Sequence, residues 1–249
     1  GMFPSGGPVA RMMEVWKYRA PHIDIYAPDI YVQNFCDVCD EYTKLGNPLF
    51  IPETAVHSHA APRLVYVIGH YHAVGFAPFG FEDMGEPFSA SASYLFGVDT
   101  SDPLLSLPQD TEEYAWYGHT IKSMMELLTS RYGTEGLQAV ISERPGQDTM
   151  LFGRFGFKVI MAAPFIPRQD GVCLALQNGA DEFFLIANGC MIAPFSTDMH
   201  KPNVDILSLE EGEFRDGKWV SGRRLNGDEA ANMRYDKPTL LKIKLFAYQ

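Results

Sequence analysis

Three stretches near the start of this chain end in residues suited to breaking a bond at a sugar carbon. Glu53 closes the run Asn47-Pro48-Leu49-Phe50-Ile51-Pro52-Glu53. Asp29 and Tyr31 close Ile23-Asp24-Ile25-Tyr26-Ala27-Pro28-Asp29-Ile30-Tyr31, and Phe81, Glu82 and Asp83 close Val74-Gly75-Phe76-Ala77-Pro78-Phe79-Gly80-Phe81-Glu82-Asp83. Cleaving a glycosidic bond takes two carboxyl groups. One protonates the leaving oxygen and the other attacks the sugar carbon or activates water. Glu53 is a candidate for one of the two, because Pro52 fixes the backbone and removes a ladder donor just where the strand leaves its sheet, which makes the carboxylate a pocket residue. Glu82 is the candidate partner and Asp83 the second choice, since the ends of adjacent parallel strands lie about 4.8 Å apart and converge over one pocket. Tyr31 could donate its hydroxyl to a carboxylate on the next strand end and hold it ionised. Phe81, Phe35 and Trp116 are candidate apolar platforms for a sugar ring. Plainer roles compete with each: Glu53 as the cap of the following helix, Glu82 and Asp83 as turn carboxylates beside Gly80 and Gly85, Tyr31 as a rim residue, the aromatics as core.

These residues need elements to hold them. Val9, Met12, Met13 and Trp16 fall at helical spacing and stop at Ala20-Pro21, so a helix is expected over 9–19 and a buried strand over 23–31. A helix over 35–45 closed by Gly46, a strand over 47–53, a helix over 62–71 and a strand over 74–83 continue the alternation. After a loop rich in Gly, Ser and Pro comes one long helix over 111–132. Helix and strand in turn imply a parallel sheet, and an alternating protein places its chemistry at the C-terminal strand ends.

Past Gly136 the period changes to short alternating runs. Strands are expected over 155–162, 172–177, 182–187, 191–195, 204–210 and 240–248. Gln177-Asn178-Gly179, Asn188-Gly189 and Arg215-Asp216-Gly217 are turn signals of the kind that join antiparallel strands. The expected organisation is therefore an α/β domain over 1–135 and an antiparallel, β-sandwich-like domain over 136–249.

A chain of 249 residues with 46% hydrophobic content can bury a substantial core, and its net charge of −11 with no basic cluster argues against a nucleic-acid partner. Apolar stretches are interrupted well before the roughly 20 residues of a membrane span, and no signal-peptide pattern opens the chain. Cys36 and Cys39 form a C-x-x-C with no second pair to complete a zinc site, while Cys173 and Cys190 alternate with apolar residues as small buried hydrophobes do. His57, His59, His70 and His72 lack the i, i+4 spacing of a helical zinc motif. No G-x-S-x-G elbow occurs, and Ser5-Gly6-Gly7-Pro8 lacks the spacing of a phosphate loop. Neither metal nor cofactor is expected.

With these residues in view, the first half resembles the C-terminal part of a clan-A glycoside hydrolase barrel, of the β-galactosidase-like type in families thirty-five and forty-two. The matching words are Phe3-Pro4-Ser5-Gly6-Gly7-Pro8-Val9-Ala10-Arg11-Met12, Ile25-Tyr26-Ala27-Pro28-Asp29-Ile30-Tyr31 and Asn47-Pro48-Leu49-Phe50-Ile51-Pro52-Glu53. The resemblance implies an incomplete TIM (β/α) barrel of about strands six to eight, with Glu53 as the nucleophile ending strand seven, Tyr31 held against it from strand six, and 74–83 as strand eight. Asp29, Phe81 and Glu82 would line the sugar site. The second half is similar to the β domain of uncharacterised function that follows such barrels in bacterial relatives, through Ser208-Leu209-Glu210-Glu211-Gly212-Glu213-Phe214, Gly217-Lys218-Trp219-Val220 and Arg223-Arg224-Leu225-Asn226-Gly227-Asp228-Glu229. In that family the acid/base glutamate ends strand four, ahead of anything matched here. The chain is accordingly expected to be the C-terminal part of a longer retaining enzyme that acts on a β-galactoside-like carbohydrate; its compartment is not read from the sequence, and the resemblance implies a periplasmic or secreted location only for full-length relatives. Alone it would be inactive, and the open half-barrel would associate as a homodimer. A non-catalytic carbohydrate-binding or assembly module is the alternative.

Overall fold

Only the end of the run 23–31 is a strand. The computed structural model describes residues 9–57, 59–86, 94 and 109–249. In it β1 is Asp29–Ile30, because the backbone ahead is satisfied by a side chain instead of a ladder. The buried Asn47 accepts from the Tyr26 N–H at 3.0 Å and donates to the carbonyls of Tyr26 at 2.9 Å and Tyr42 at 2.7 Å. Helix α1, Met13–Arg19, follows a 3-10 turn and closes with the Ala20 N–H on the Trp16 carbonyl. Helix α2, Phe35–Tyr42, turns Phe35, Cys36 and Cys39 inward. Next come β2, Phe50–Thr54, helix α3, Ala60–His70, and β3, Gly75–Pro78. The three strands form one sheet in the order β1-β2-β3, with both pairings parallel. The expected strand over 74–83 is cut short because Gly80 adopts a left-handed conformation (φ 66°), and the chain turns into a 3-10 segment, Phe81–Asp83. The loop expected over 84–110 falls mostly outside the described residues, as do the words before Val9.

The chain divides into two compact units, Gly1–Thr111 and Glu112–Gln249. Thus the helical segment expected to close the first half counts with the β-rich unit. It is also two helices, α4 (Thr111–Ser123) and α5 (Met125–Arg131), broken at the buried Met124.

Ten strands follow: β4 Leu137–Ile141, β5 Thr149–Phe152, β6 Phe155–Met161, β7 Val172–Gln177, β8 Glu182–Asn188, β9 Cys190–Ser196, β10 Asn203–Arg215, β11 Lys218–Arg224, β12 Arg234–Tyr235 and β13 Thr239–Tyr248. They make two antiparallel sheets, β11-β10-β13-β8-β7-β4 and β12-β9-β6-β5. Alternation places Phe183, Leu185, Leu241 and Ile243 from the first sheet against Phe155, Phe157, Val159 and Ile192 from the second, in one apolar cluster. Asp216-Gly217 turns β10 into β11, with both residues at positive φ as a tight hairpin requires. Asn188-Gly189 does something else. It is the corner at which the chain leaves the six-stranded sheet as β8 and enters the four-stranded sheet as β9, so the hairpin expected there is a sheet crossing. Glycine is needed twice at this corner: Gly189 has φ 59°, and a Cβ on Gly171 would lie 2.3 Å from the Gly189 carbonyl oxygen.

Candidate functional site

Glu53 reaches its position through a break in the ladder. The β2–β3 register runs Phe50 to Gly75 and Ile51 to Phe76, then shifts before Thr54 meets Pro78, so Pro52 and Glu53 occupy an irregularity. Pro52 supplies no N–H, and an extra residue in a strand re-aims its neighbours. On the other side β2 is in regular parallel register, with Asp29 opposite Glu53 and Ile30 opposite Thr54. The buried Thr54 fastens this end by donating its hydroxyl to the Ile30 carbonyl at 2.8 Å.

The Tyr31 hydroxyl donates to Glu53 Oε1. Burial, then the hydrogen bond and the charge of Glu53, hold the Tyr31 hydroxyl far above the ordinary tyrosine range, so it stays a donor at any working pH. Asp29, Tyr31 and Glu53 thus share one face of the sheet at its C-terminal end. Asp29 is exposed as a residue, yet partial burial of its carboxyl raises its pKa, and the nearby Glu53 charge raises it further. Tyr42 of α2 belongs to the same neighbourhood: burial pushes its hydroxyl up, the Ala10 backbone pulls it partly back, and the Asp29 charge adds to the rise. A carboxylate of defined orientation, held by a tyrosine and flanked by a second carboxyl with reduced tendency to ionise, can act as nucleophile or base toward an electrophilic carbon.

One consequence is measurable. In Glu53→Gln the Asp29 pKa is expected to fall while staying above the ordinary value, because the charge is removed and the burial is not. A raised pKa in the fold means that the Asp29 contribution to stability is complete below about pH 3.8 and is lost as pH rises through the raised value; the substitution lessens that loss. Titration of the Asp29 carboxyl carbon by NMR checks this, and an unchanged pKa would mean that the two carboxyls do not interact.

Phe81 and Glu82 lie on the exposed 3-10 segment beyond β3, not on the strand itself. Asp83 is on the same turn. Of the proposed platforms, Phe35 is fully buried beneath the guanidinium of Arg63, 4.3 Å from the ring centre, and is core. Trp116 stands on α4 of the second unit, edge-on to Tyr117. His57 and His59 are buried, with the His59 N–H donating to His57 Nδ1 at 3.1 Å. Among the described residues no group of three or more His, Cys, Asp or Glu is arranged to hold a metal ion. Asn47 and Thr54 do the positioning and were not singled out from sequence; the polar type of both within an apolar run was the available signal.

The second unit has a polar centre that sequence reasoning missed altogether. Arg168, on the loop between β6 and β7, grips two carboxylates, with Nη1 and Nη2 at 2.5 and 2.8 Å from Glu113 and Nε and Nη2 at 2.6 and 2.7 Å from Asp170. The fully buried Asn188 donates to the Tyr117 hydroxyl at 2.9 Å and to Glu113 at 3.3 Å. These bonds tie α4 to the loop before β7 and to the corner after β8.

Residues 119–235 match the model of a family described as a domain of unknown function (DUF5597). The match covers most of the second unit and begins inside α4. No curated protein matches the chain. Among the described residues no helix is long and apolar enough to cross a membrane.

Proposed function

We propose that the first unit carries the nucleophile side of a retaining, β-galactosidase-like glycoside hydrolase site, with Glu53 as the nucleophile and Tyr31 as the residue that orients it. One observation carries this: the Tyr31 hydroxyl bonds to Glu53 where two parallel strands end side by side. A TIM barrel contributed in part by β1 to β3 is the architecture that fits, since such barrels gather their chemistry at the C-terminal strand ends. Asp29, Phe81 and Glu82 are the proposed sugar contacts, and a β-galactoside-like oligosaccharide is the proposed substrate.

The test is covalent trapping with a 2-deoxy-2-fluoro-β-galactoside bearing a dinitrophenyl leaving group. Its aglycone departs without protonation, so the experiment interrogates the nucleophile alone. A stable glycosyl ester mapped by mass spectrometry to Glu53 is expected. No adduct at millimolar probe, together with reversible carbohydrate binding, would favour the alternative, a non-catalytic carbohydrate-binding or assembly module.

Self-association belongs to the same proposal. Among the described residues β1 and β3 pair only with β2, which leaves the outer edge of each as a template for another chain. A two-fold homodimer that covers such an edge is expected, and sedimentation at tens of micromolar reads it directly. A strict monomer would end this part of the proposal.

A further inference from the structure

Two thiols from different sheets meet in the core of the second unit. Cys173 is on β7 of the six-stranded sheet, and Cys190 opens β9 of the four-stranded one. Both side chains are fully buried and face the same apolar cluster between the sheets. Cys190 Sγ also lies 3.8 Å from the carbonyl oxygen of Val172, the residue before Cys173. The glycine corner makes the approach possible: the Gly171 and Gly189 backbones are in contact, each two or fewer residues from its cysteine.

We infer that Cys173 and Cys190 are the site of a covalent cross-link between the two sheets, a disulfide closed while the chain folds. A disulfide needs the two backbones close together, with Cβ atoms about 3.5–4.5 Å apart, and the touching glycine backbones beside the two cysteines supply that closeness. The link would restrain the unfolded chain across β8 and the corner, the segment that carries the crossing between sheets. Timing follows from burial. In the finished core the neighbouring Cys190 thiol and the loss of water hold the Cys173 thiol well above its ordinary range, and the attacking thiolate does not form there. A partly folded chain has no such obstacle.

The oxidant is a low-molecular-weight disulfide such as oxidised glutathione. One cysteine thiolate attacks it and releases one glutathione; the second attacks the mixed disulfide and releases the other. One protein S–S bond forms, the glutathione S–S bond breaks, two electrons pass to glutathione, and the two cysteine protons end on the two glutathione thiols.

The experiment refolds the full chain from denaturant in a mixture of oxidised and reduced glutathione, quenches it by alkylation under denaturing conditions, and maps the peptides by mass spectrometry. Expected is a linked pair containing Cys173 and Cys190, lighter by two hydrogens than the separate peptides. The same sample is expected to melt several degrees above one refolded in excess reductant. Because no substitution is made, failure to fold does not confuse the outcome. Recovery of Cys173 and Cys190 as alkylated thiols, or a link from either to Cys36 or Cys39, would overturn the inference.

Discussion

Glu53→Gln is expected to abolish covalent labelling by the dinitrophenyl fluorosugar, whereas Tyr31→Phe is expected to slow labelling and leave it on Glu53. The difference follows from what each group supplies. In the proposed mechanism Glu53 forms the bond to the anomeric carbon, and an amide oxygen is too weak a nucleophile to replace it. Tyr31 donates to Oε1, so its loss removes orientation and one charge-assisted hydrogen bond while the attacking oxygen survives. Alkyl β-galactosides tell the other half of the story. Their leaving oxygen has to be protonated, and general acid assistance contributes about 10²–10⁴-fold, so this chain is expected to cleave them at a rate lower by about that factor than a complete acid/nucleophile pair would. Brisk turnover of an alkyl β-galactoside that vanishes in Glu53→Gln would instead place an acid within the chain. Glu82→Gln and Asp29→Asn would then identify which carboxyl serves. Equal labelling of the natural chain and Glu53→Gln would remove Glu53 from the mechanism.

Arg168→Met is expected to cost the second unit about 3 kcal/mol or more, because it leaves two mostly buried carboxylates facing one another with their shared cation gone. The side chains of Glu113 and Asp170 are 8% and 9% exposed and that of Arg168 22%, so water can recover little of the loss. Urea unfolding followed by tryptophan fluorescence reads this in a Trp16→Phe background, where Trp116 and Trp219 report the second unit alone. The double variant Arg168→Met/Glu113→Gln is expected to lose less than the two single losses added together, since one of the stranded charges is absent. A loss under about 1 kcal/mol, the usual worth of an exposed ion pair, would show that the cluster is solvated and does not hold α4 in place.

Much of the local organisation was legible because it depends on nearby residues. The parallel α/β half and the antiparallel β-rich half followed from a change of hydrophobic period near Gly136, and the Asp216-Gly217 hairpin followed from residues that tolerate positive φ. Asp29, Tyr31 and Glu53 could be selected as strand-end residues before any coordinates, because a polar type closing an apolar run stands out. Boundaries were less legible. The strand over 23–31 shrank to two residues because Asn47, distant in sequence, takes up the Tyr26 backbone groups. The short strands β4 and β5 lie in a region that the turn signals left undivided, and their edges are apparent only once a partner strand is paired.

The amino-acid sequence by itself determined the two kinds of secondary structure, the turn chemistry, and the choice of Glu53 as a candidate carboxylate, all of which rest on periodicities and residue types within about ten positions of one another. Tertiary structure alone decided which side chains meet. That Glu53 bonds to Tyr31 and lies opposite Asp29, that Asn188-Gly189 carries the chain between sheets instead of turning a hairpin, that Arg168 binds Glu113 from 55 positions away, and that Cys173 and Cys190 share one buried cluster are consequences of strand register and sheet order. Those are set by packing and hydrogen bonding between residues far apart in the chain, where a one-residue shift of register would send every side chain to the opposite face.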